Sequence, residues 1–89
     1  MRTRVRVIVR GRVQGVFFRA SCAEEARRRG VAGFIRNRAD GGVEAVFEGP
    51  ADQVDAMVGW CGTGPPFAQV DRVESRVEEP VGDTGFRVA

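Results

Sequence analysis

Gly11-Arg12-Val13-Gln14-Gly15-Val16-Phe17-Phe18-Arg19-Ala20-Ser21 marks a switch from strand to helix. Upstream, Thr3 to Arg10 alternates. Val5, Val7 and Val9 share one face; Arg4, Arg6 and Arg10 share the other, with Ile8 the one apolar exception. Period two with one apolar face is the mark of a half-buried strand. Downstream, Cys22, Ala23 and Ala26 recur at helical spacing opposite Glu24, Glu25 and Arg28, which predicts a helix over Arg19 to Gly30. Arg27, Arg28 and Arg29 load its last turn, where cations suit the helix dipole, and Gly30 terminates it. Between strand and helix lies a loop from Gly11 to Phe18, with glycine at Gly11 and Gly15. Such a bend aims several backbone N–H groups at one point, and glycine permits close approach of a ligand. The helix start adds free N–H groups and the positive end of the dipole. Arg19 stands at that entrance, and a guanidinium grips a phosphate with two parallel hydrogen bonds.

Beyond the first helix, Val31 to Arg38 reads as a second strand, and Ala39-Asp40-Gly41-Gly42 as a hairpin turn. Asp-Gly between β-rich runs supplies the positive φ that such a turn needs. Val43 to Glu48 is the returning strand, with Val43, Ala45 and Phe47 facing one way and Glu44, Val46 and Glu48 the other. Gly49-Pro50 opens a second helix, with Pro50 tolerated in its first turn. Val54, Met57, Val58 and Cys61 form its core stripe, flanked by Trp60. Gly62-Thr63-Gly64-Pro65-Pro66 breaks that helix. Ala68 to Val77 is a further strand, with Val73, Ser75 and Val77 on one face, and Phe86-Arg87-Val88 offers a short terminal one. The order β-α-β-β-α-β is that of an α+β, ferredoxin-like α/β sandwich, an antiparallel sheet with two helices on one face. A chain of 89 residues is expected to form a single domain over 1–89.

Composition removes several chemistries. There is no histidine. A Ser-His-Asp triad, a Cys-His dyad and a zinc-bound water on histidine ligands are therefore excluded. Cys22 and Cys61, the only cysteines, fall at apolar helix positions without metal-ligand spacing, so buried thiols and no metal are expected. All fourteen cations are arginine, but twelve acids interleave with them and the net charge is only +2. Arginines spread in this way do not mark a nucleic-acid surface. No apolar run is long enough to span a membrane. The N-terminal Met1-Arg2-Thr3-Arg4-Val5-Arg6-Val7 has a strand pattern, not that of a signal peptide, which predicts a cytoplasmic protein.

The second notable segment is Gly33-Phe34-Ile35-Arg36-Asn37-Arg38, followed by Asp40-Gly41-Gly42-Val43-Glu44. Asparagine is disfavoured inside strands and commonly serves turns, so Asn37 alone fits an exposed strand end. Taken together, the two segments resemble the acylphosphatase family. Gly11 to Arg19 is similar to its N-terminal motif almost throughout, and Gly33 to Asn37 with Asp40 to Glu44 is similar to its second. Gly64-Pro65-Pro66 leading to Ala68-Gln69-Val70, and the ending Phe86-Arg87-Val88, also follow the family pattern, so the resemblance covers essentially the whole chain. Phe34 stands where many members have tryptophan, a change on the packing side.

The resemblance implies metal-independent and cofactor-free hydrolysis of the carboxyl–phosphate bond of a small acyl phosphate. It implies that Arg19 binds the phosphate and Asn37 positions the attacking water. It also implies that the backbone amides of Gln14, Gly15, Val16, Phe17 and Phe18 cradle the phosphate. A monomer is expected. The competing expectation is a ferredoxin-like RNA- or phosphate-binding module without turnover. Against RNA, the strand face carrying Arg4, Arg6, Ile8 and Arg10 has no aromatic pair, and the adjoining Glu44 and Glu48 repel a phosphate backbone. Against a phosphate sensor, Asn37 supplies a water-positioning group that a sensor does not need.

Overall fold

A computed structural model describes the whole chain, Met1 to Ala89. Seven elements follow one another: β1 (Arg2–Arg12), α1 (Phe18–Arg28), β2 (Ala32–Asn37), β3 (Val43–Pro50), α2 (Ala51–Cys61), β4 (Gln69–Glu78) and β5 (Phe86–Val88). The strands make one sheet in the order β4-β1-β3-β2-β5. β1 lies antiparallel between β3 and β4, and β2 lies antiparallel to β3. β5 runs parallel to β2, with Gly33 opposite Phe86 and Ile35 opposite Val88. The sheet is therefore mixed at one edge, where the sequence predicted an antiparallel sheet. After β4, on one edge, residues 79–85 carry the chain to the opposite edge, and arriving there it runs alongside β2.

The apolar periodicities decide which face is dry. Val5, Val7 and Val9 of β1, Ile35 of β2, and Val43, Ala45 and Phe47 of β3 join Cys22, Ala23 and Ala26 of α1 and Val54, Met57 and Cys61 of α2 in one buried cluster. Both helices feed a single cluster, so both cover the same sheet face. Each large side chain buried there contributes about 1.5–3 kcal/mol. Phe18 meets Trp60 edge-on at 5.3 Å, fixing the start of α1 against α2. Phe47 stacks on Phe86 at 5.8 Å and anchors β5. Cys22 and Cys61 are buried free thiols. The neighbouring Cys61 and burial together push the Cys22 pKa up.

The other face, which a half-buried strand pattern leaves to solvent, is itself covered. Arg4, Glu44, Val46 and Glu48 are all buried. Glu44 pairs with Arg6, with Arg36 at 2.6 Å and with Arg38 at 3.2 Å. Glu78 pairs with Arg6 at 2.6 Å and Arg4 at 3.3 Å. Glu48 has no exposed surface. It accepts from Arg2 Nε at 3.1 Å and Arg4 Nη1 at 3.0 Å, and from the backbone N–H groups of Val81, Gly82 and Asp83 at 3.0, 2.8 and 3.1 Å. Arginine and glutamate side chains are long enough to lie across the strands, so a charged alternation builds its own cover.

Two boundaries move for local reasons. β1 continues to Arg12 through a bulge between Arg10 and Gly11, so Gly11 belongs to the strand and not to the loop. There φ is +130°, and a Cβ would sit 2.2 Å from the Gln69 carbonyl oxygen; only glycine lets β4 close on this point. Pro50 ends β3 opposite Arg2 and stands just before α2, rather than inside its first turn. No helix is long and apolar enough to cross a membrane.

Candidate active site

The end of β1, the start of α1, the end of β2 and the end of β5 surround one cleft of about 330 Å3. It is lined by Val13, Gly15, Phe17, Phe18, Arg19, Ala20, Asn37 and Val88. Arg19 and Asn37 are 18 residues apart in sequence, yet the pairing of β2 beside the loop brings them to a common space. Asn37 closes β2 and is exposed, paired across the hairpin with Val43.

The connecting loop is shorter than predicted, Val13 to Phe17. Its backbone is bent at two places: Gly15 has φ +72° and Phe17 φ +64°. Glycine meets the first requirement without strain. Phe17 is the only non-glycine residue of the chain with positive φ, which costs about 1–3 kcal/mol for a bulky side chain. Its ring is 73% exposed at the cleft rim, so burial does not offset that cost. Strain of this kind concentrates where backbone groups must be aimed.

Those groups are the amides. The first backbone N–H after the bend to find a partner outside the regular elements belongs to Ser21, donating to the Phe17 carbonyl at 3.0 Å. None of the N–H groups from Gln14 to Ala20 is among the turn and loop donors. Phe17 is the N-cap of α1, yet no side chain caps it, and no acid stands in the first turn. α2 differs, with Asp52 in its first turn. A helix start without serine, threonine or a carboxylate leaves its donors and its positive end to an external anion.

The five loop residues predicted to bind phosphate serve in different ways. Gly15, Phe17 and Phe18 line the cleft, whereas Gln14 and Val16 do not. Val16 packs on the core, and Phe18 is buried in it. What their positions can offer an anion is backbone N–H. Gln14 turns its side chain away to the hairpin, where Nε2 donates to the Arg38 carbonyl at 2.8 Å and the Gly42 carbonyl at 2.9 Å. Arg19 is half-buried, and its Nη1 donates to the Ala89 carbonyl at 3.2 Å. Ala89 in turn donates from its N–H to the Ile35 carbonyl at 2.8 Å.

Sequence reading missed Val13, Ala20, Val88, the Ala89 carbonyl and the side-chain role of Gln14. No local signal marks Val88 or Ala89, because parallel pairing with β2 alone brings them to the cleft. For Gln14 the signal was present: a long carboxamide in a tight loop has donors that must go somewhere.

The turn beside Asn37 is rigidly held. Asp40 accepts from Arg38 at 3.1 Å, from the Gly42 N–H at 3.1 Å and from Arg10 at 3.1 Å. Hydrogen bonds from Arg38 first, then from Gly42 and Arg10, hold its carboxyl well below the usual carboxylate range. It stays ionised and off the cleft. The groups facing the cleft are thus a guanidinium, a carboxamide and amide donors, over an apolar floor. That set can bind a dianion and orient a water, but it offers no general base.

A family model described as acylphosphatase matches residues 5–88. The chain is 60% identical over 87 residues to an acylphosphatase of Rubrobacter xylanophilus, spanning 96% of this chain and 78% of that one. It is 51% identical over 87 residues to an acylphosphatase of Natronomonas pharaonis, spanning 98% and 95%. The crystal structure of acylphosphatase from Bacillus subtilis superposes with a TM-score of 0.93 at 36% identity, covering 98% of each chain. The match in sequence and in fold extends over nearly the whole length of the chain, and on that ground the chain belongs to the acylphosphatase family.

Proposed function

We propose that the acyl phosphate hydrolysis of this family proceeds here in the cleft between α1 and β2, with Arg19 and the backbone amides of Gln14 to Phe18 binding the phosphoryl group and Asn37 aiming the water. One observation carries these assignments: a single cleft gathers Arg19, Asn37 and an uncapped helix start whose loop amides lack protein partners. Phosphoryl transfer asks mainly for positioning and charge stabilisation. The amides and Arg19 supply fixed positive dipoles and charge to the equatorial oxygens. The Asn37 carboxamide can accept from the water and hold it in line with phosphorus. The water oxygen forms the new P–O bond as the bond from phosphorus to the carboxyl oxygen breaks, and the carboxylate leaves with the electron pair. Both water protons end on phosphate oxygens, giving a carboxylate and dihydrogen phosphate. A carboxylate is a good leaving group, so no strong general acid is required. The positive charge comes from the protein itself, and the proposal assigns no metal or cofactor.

The same proposal takes residues 1–89 as one acylphosphatase-like unit acting as a cytoplasmic monomer on a small acyl phosphate, without a nucleic-acid or membrane partner. The nucleic-acid alternative is disfavoured by the sheet face opposite the helices, where carboxylates already occupy the arginines. The test is release of inorganic phosphate from acetyl phosphate or benzoyl phosphate with EDTA present. Turnover that is lost in Asn37→Ala is expected. Turnover in Asn37→Ala at the wild-type rate would remove Asn37 from the mechanism.

A further inference from the structure

Gln14 stands at a junction that phosphate binding by its backbone does not explain. Its Nε2 places one hydrogen on each of two carbonyl oxygens, Arg38 at 2.8 Å and Gly42 at 2.9 Å. Those two residues form the first rung beyond the sheet: the Arg38 N–H donates to that same Gly42 carbonyl at 2.8 Å, immediately after the pair Asn37–Val43. Gln14 is therefore fastened to the rung next to Asn37. The hairpin itself does not need this contact, because Asp40 already ties it to Arg10, Arg38 and Gly42. The loop does need it. Between the end of β1 and the start of α1, no other side chain makes a hydrogen bond, and the loop amides have no partners of their own.

We propose that the Gln14 carboxamide is a positioning residue that sets the register between the phosphate cradle and the water held by Asn37. This rests on the site reading given above. A phosphate dianion can gather loose amides and Arg19 around itself, so anion binding does not depend strongly on the staple. In-line attack does, because the water is held from β2 and the phosphorus from the loop. A misplacement of about 1 Å between reacting groups can cost about a hundredfold in rate. Both hydrogens of a carboxamide are needed, and neither a carboxylate nor a thioether supplies any.

Two variants separate this from a merely structural role. Gln14→Glu keeps the shape, but its carboxylate faces two carbonyl oxygens with no hydrogen to give. Protonated, it regains one donor. Gln14→Met never has one. Turnover of acetyl phosphate and thermal protection by inorganic phosphate are measured for both, between pH 8 and pH 5, relative to wild type in the same buffers. At pH 8 we expect kcat to fall by at least about tenfold in each variant, while the phosphate concentration giving half-maximal protection moves by less than about threefold. As pH falls, relative kcat should recover severalfold in Gln14→Glu and stay low in Gln14→Met. Unchanged kcat at pH 8 would overturn the proposal. So would equal loss of kcat and phosphate protection without recovery in Gln14→Glu, which would make the staple a stability element only. If Gln14→Glu does not fold, the split between kcat and phosphate protection in Gln14→Met decides alone. None of these outcomes bears on the roles of Arg19 and Asn37, which stand or fall with the variants at those positions.

Discussion

Glu48 gives the chain a predictable weakness to acid. It is fully buried, and burial by itself would raise its pKa. The N–H of Val81, the guanidinium groups of Arg4 and Arg2 and the N–H of Gly82 overcome that and lower it from 4.5 to about 2. At about 1.4 kcal/mol per pH unit, the ionised carboxylate contributes on the order of 3 kcal/mol. A lowered pKa places that stability above the unfolded value of 4.5 and removes it as pH falls toward 2; about half should be gone near pH 3. The perturbation is Glu48→Gln, which keeps the volume and loses the charge. Arg4, itself buried, then loses one carboxylate partner but keeps Glu78 at 3.3 Å, which places the cost at the lower end of the roughly 3–5 kcal/mol typical of breaking a buried pair. Urea unfolding of wild type and variant at steps from pH 7 to pH 3 is the assay. The expected gap is about 3 kcal/mol or more at pH 7, narrowing steadily below pH 4.5. Glu44, Glu78 and Asp83 are also held low by arginines, so wild type alone will lose stability in acid. The difference between the two proteins isolates Glu48. A gap that stays constant down to pH 3, or no gap at pH 7, would refute the account.

Arg19→Lys should fold normally and lose about tenfold or more in kcat/KM for acetyl phosphate, the equivalent of one charge-assisted hydrogen bond of roughly 1.5–3 kcal/mol; activity near wild type removes the two-pronged grip. Turnover of a substrate of constant ionisation should be flat between about pH 5 and 8, because neither a guanidinium nor a carboxamide titrates there; a bell-shaped profile would require a carboxylate or thiol in the cleft. Phosphate at about 100 times its dissociation constant should stabilise wild type and Asn37→Ala alike by roughly 2.7 kcal/mol. Arg19→Ala should need far more phosphate for the same shift in thermal unfolding. Equal loss of protection in both alanine variants would make Asn37 a support of the loop.

Much of this architecture was legible because it rests on local periodicity. Val5-Val7-Val9 and Val43-Ala45-Phe47 announced the dry sheet face, and Cys22-Ala23-Ala26 and Val54-Met57-Cys61 the helix stripes that cover it. Arg19 and Asn37 were legible through a family resemblance, and the cleft brings them together. What stayed hidden depends on contacts remote in sequence. The direction of β5 is fixed by pairing with β2 and by Phe86 on Phe47, across 39 residues of chain. The burial of Glu44 and Glu48 follows from arginines on β1 and β2 and from the 79–85 crossing, none of which alternation along β3 can reveal. Gly11 reads as loop in the sequence, since glycine weakens a strand interior; a bulge against Gln69 lets the strand absorb it. The positive φ of Phe17 had no signal, since a bulky residue there runs against propensity.

The ion-paired face of the sheet has a consequence for how the protein responds to heat. The helix-covered face is held by apolar burial, which weakens on cooling. The arginine–glutamate face is limited by the cost of stripping water from charges, and that cost shrinks as temperature rises. β1 and β3 carry both faces at once, Val5, Val7 and Val9 on one side and Arg4 and Arg6 on the other. β1, which runs into the cleft loop, and β2, which carries Asn37 and is tied to β3 through Arg36 and Glu44, are thus braced on their charged side by contacts that suffer least in warm water, and the strand framework of the cleft should outlast the loop around Phe17 as the protein is heated.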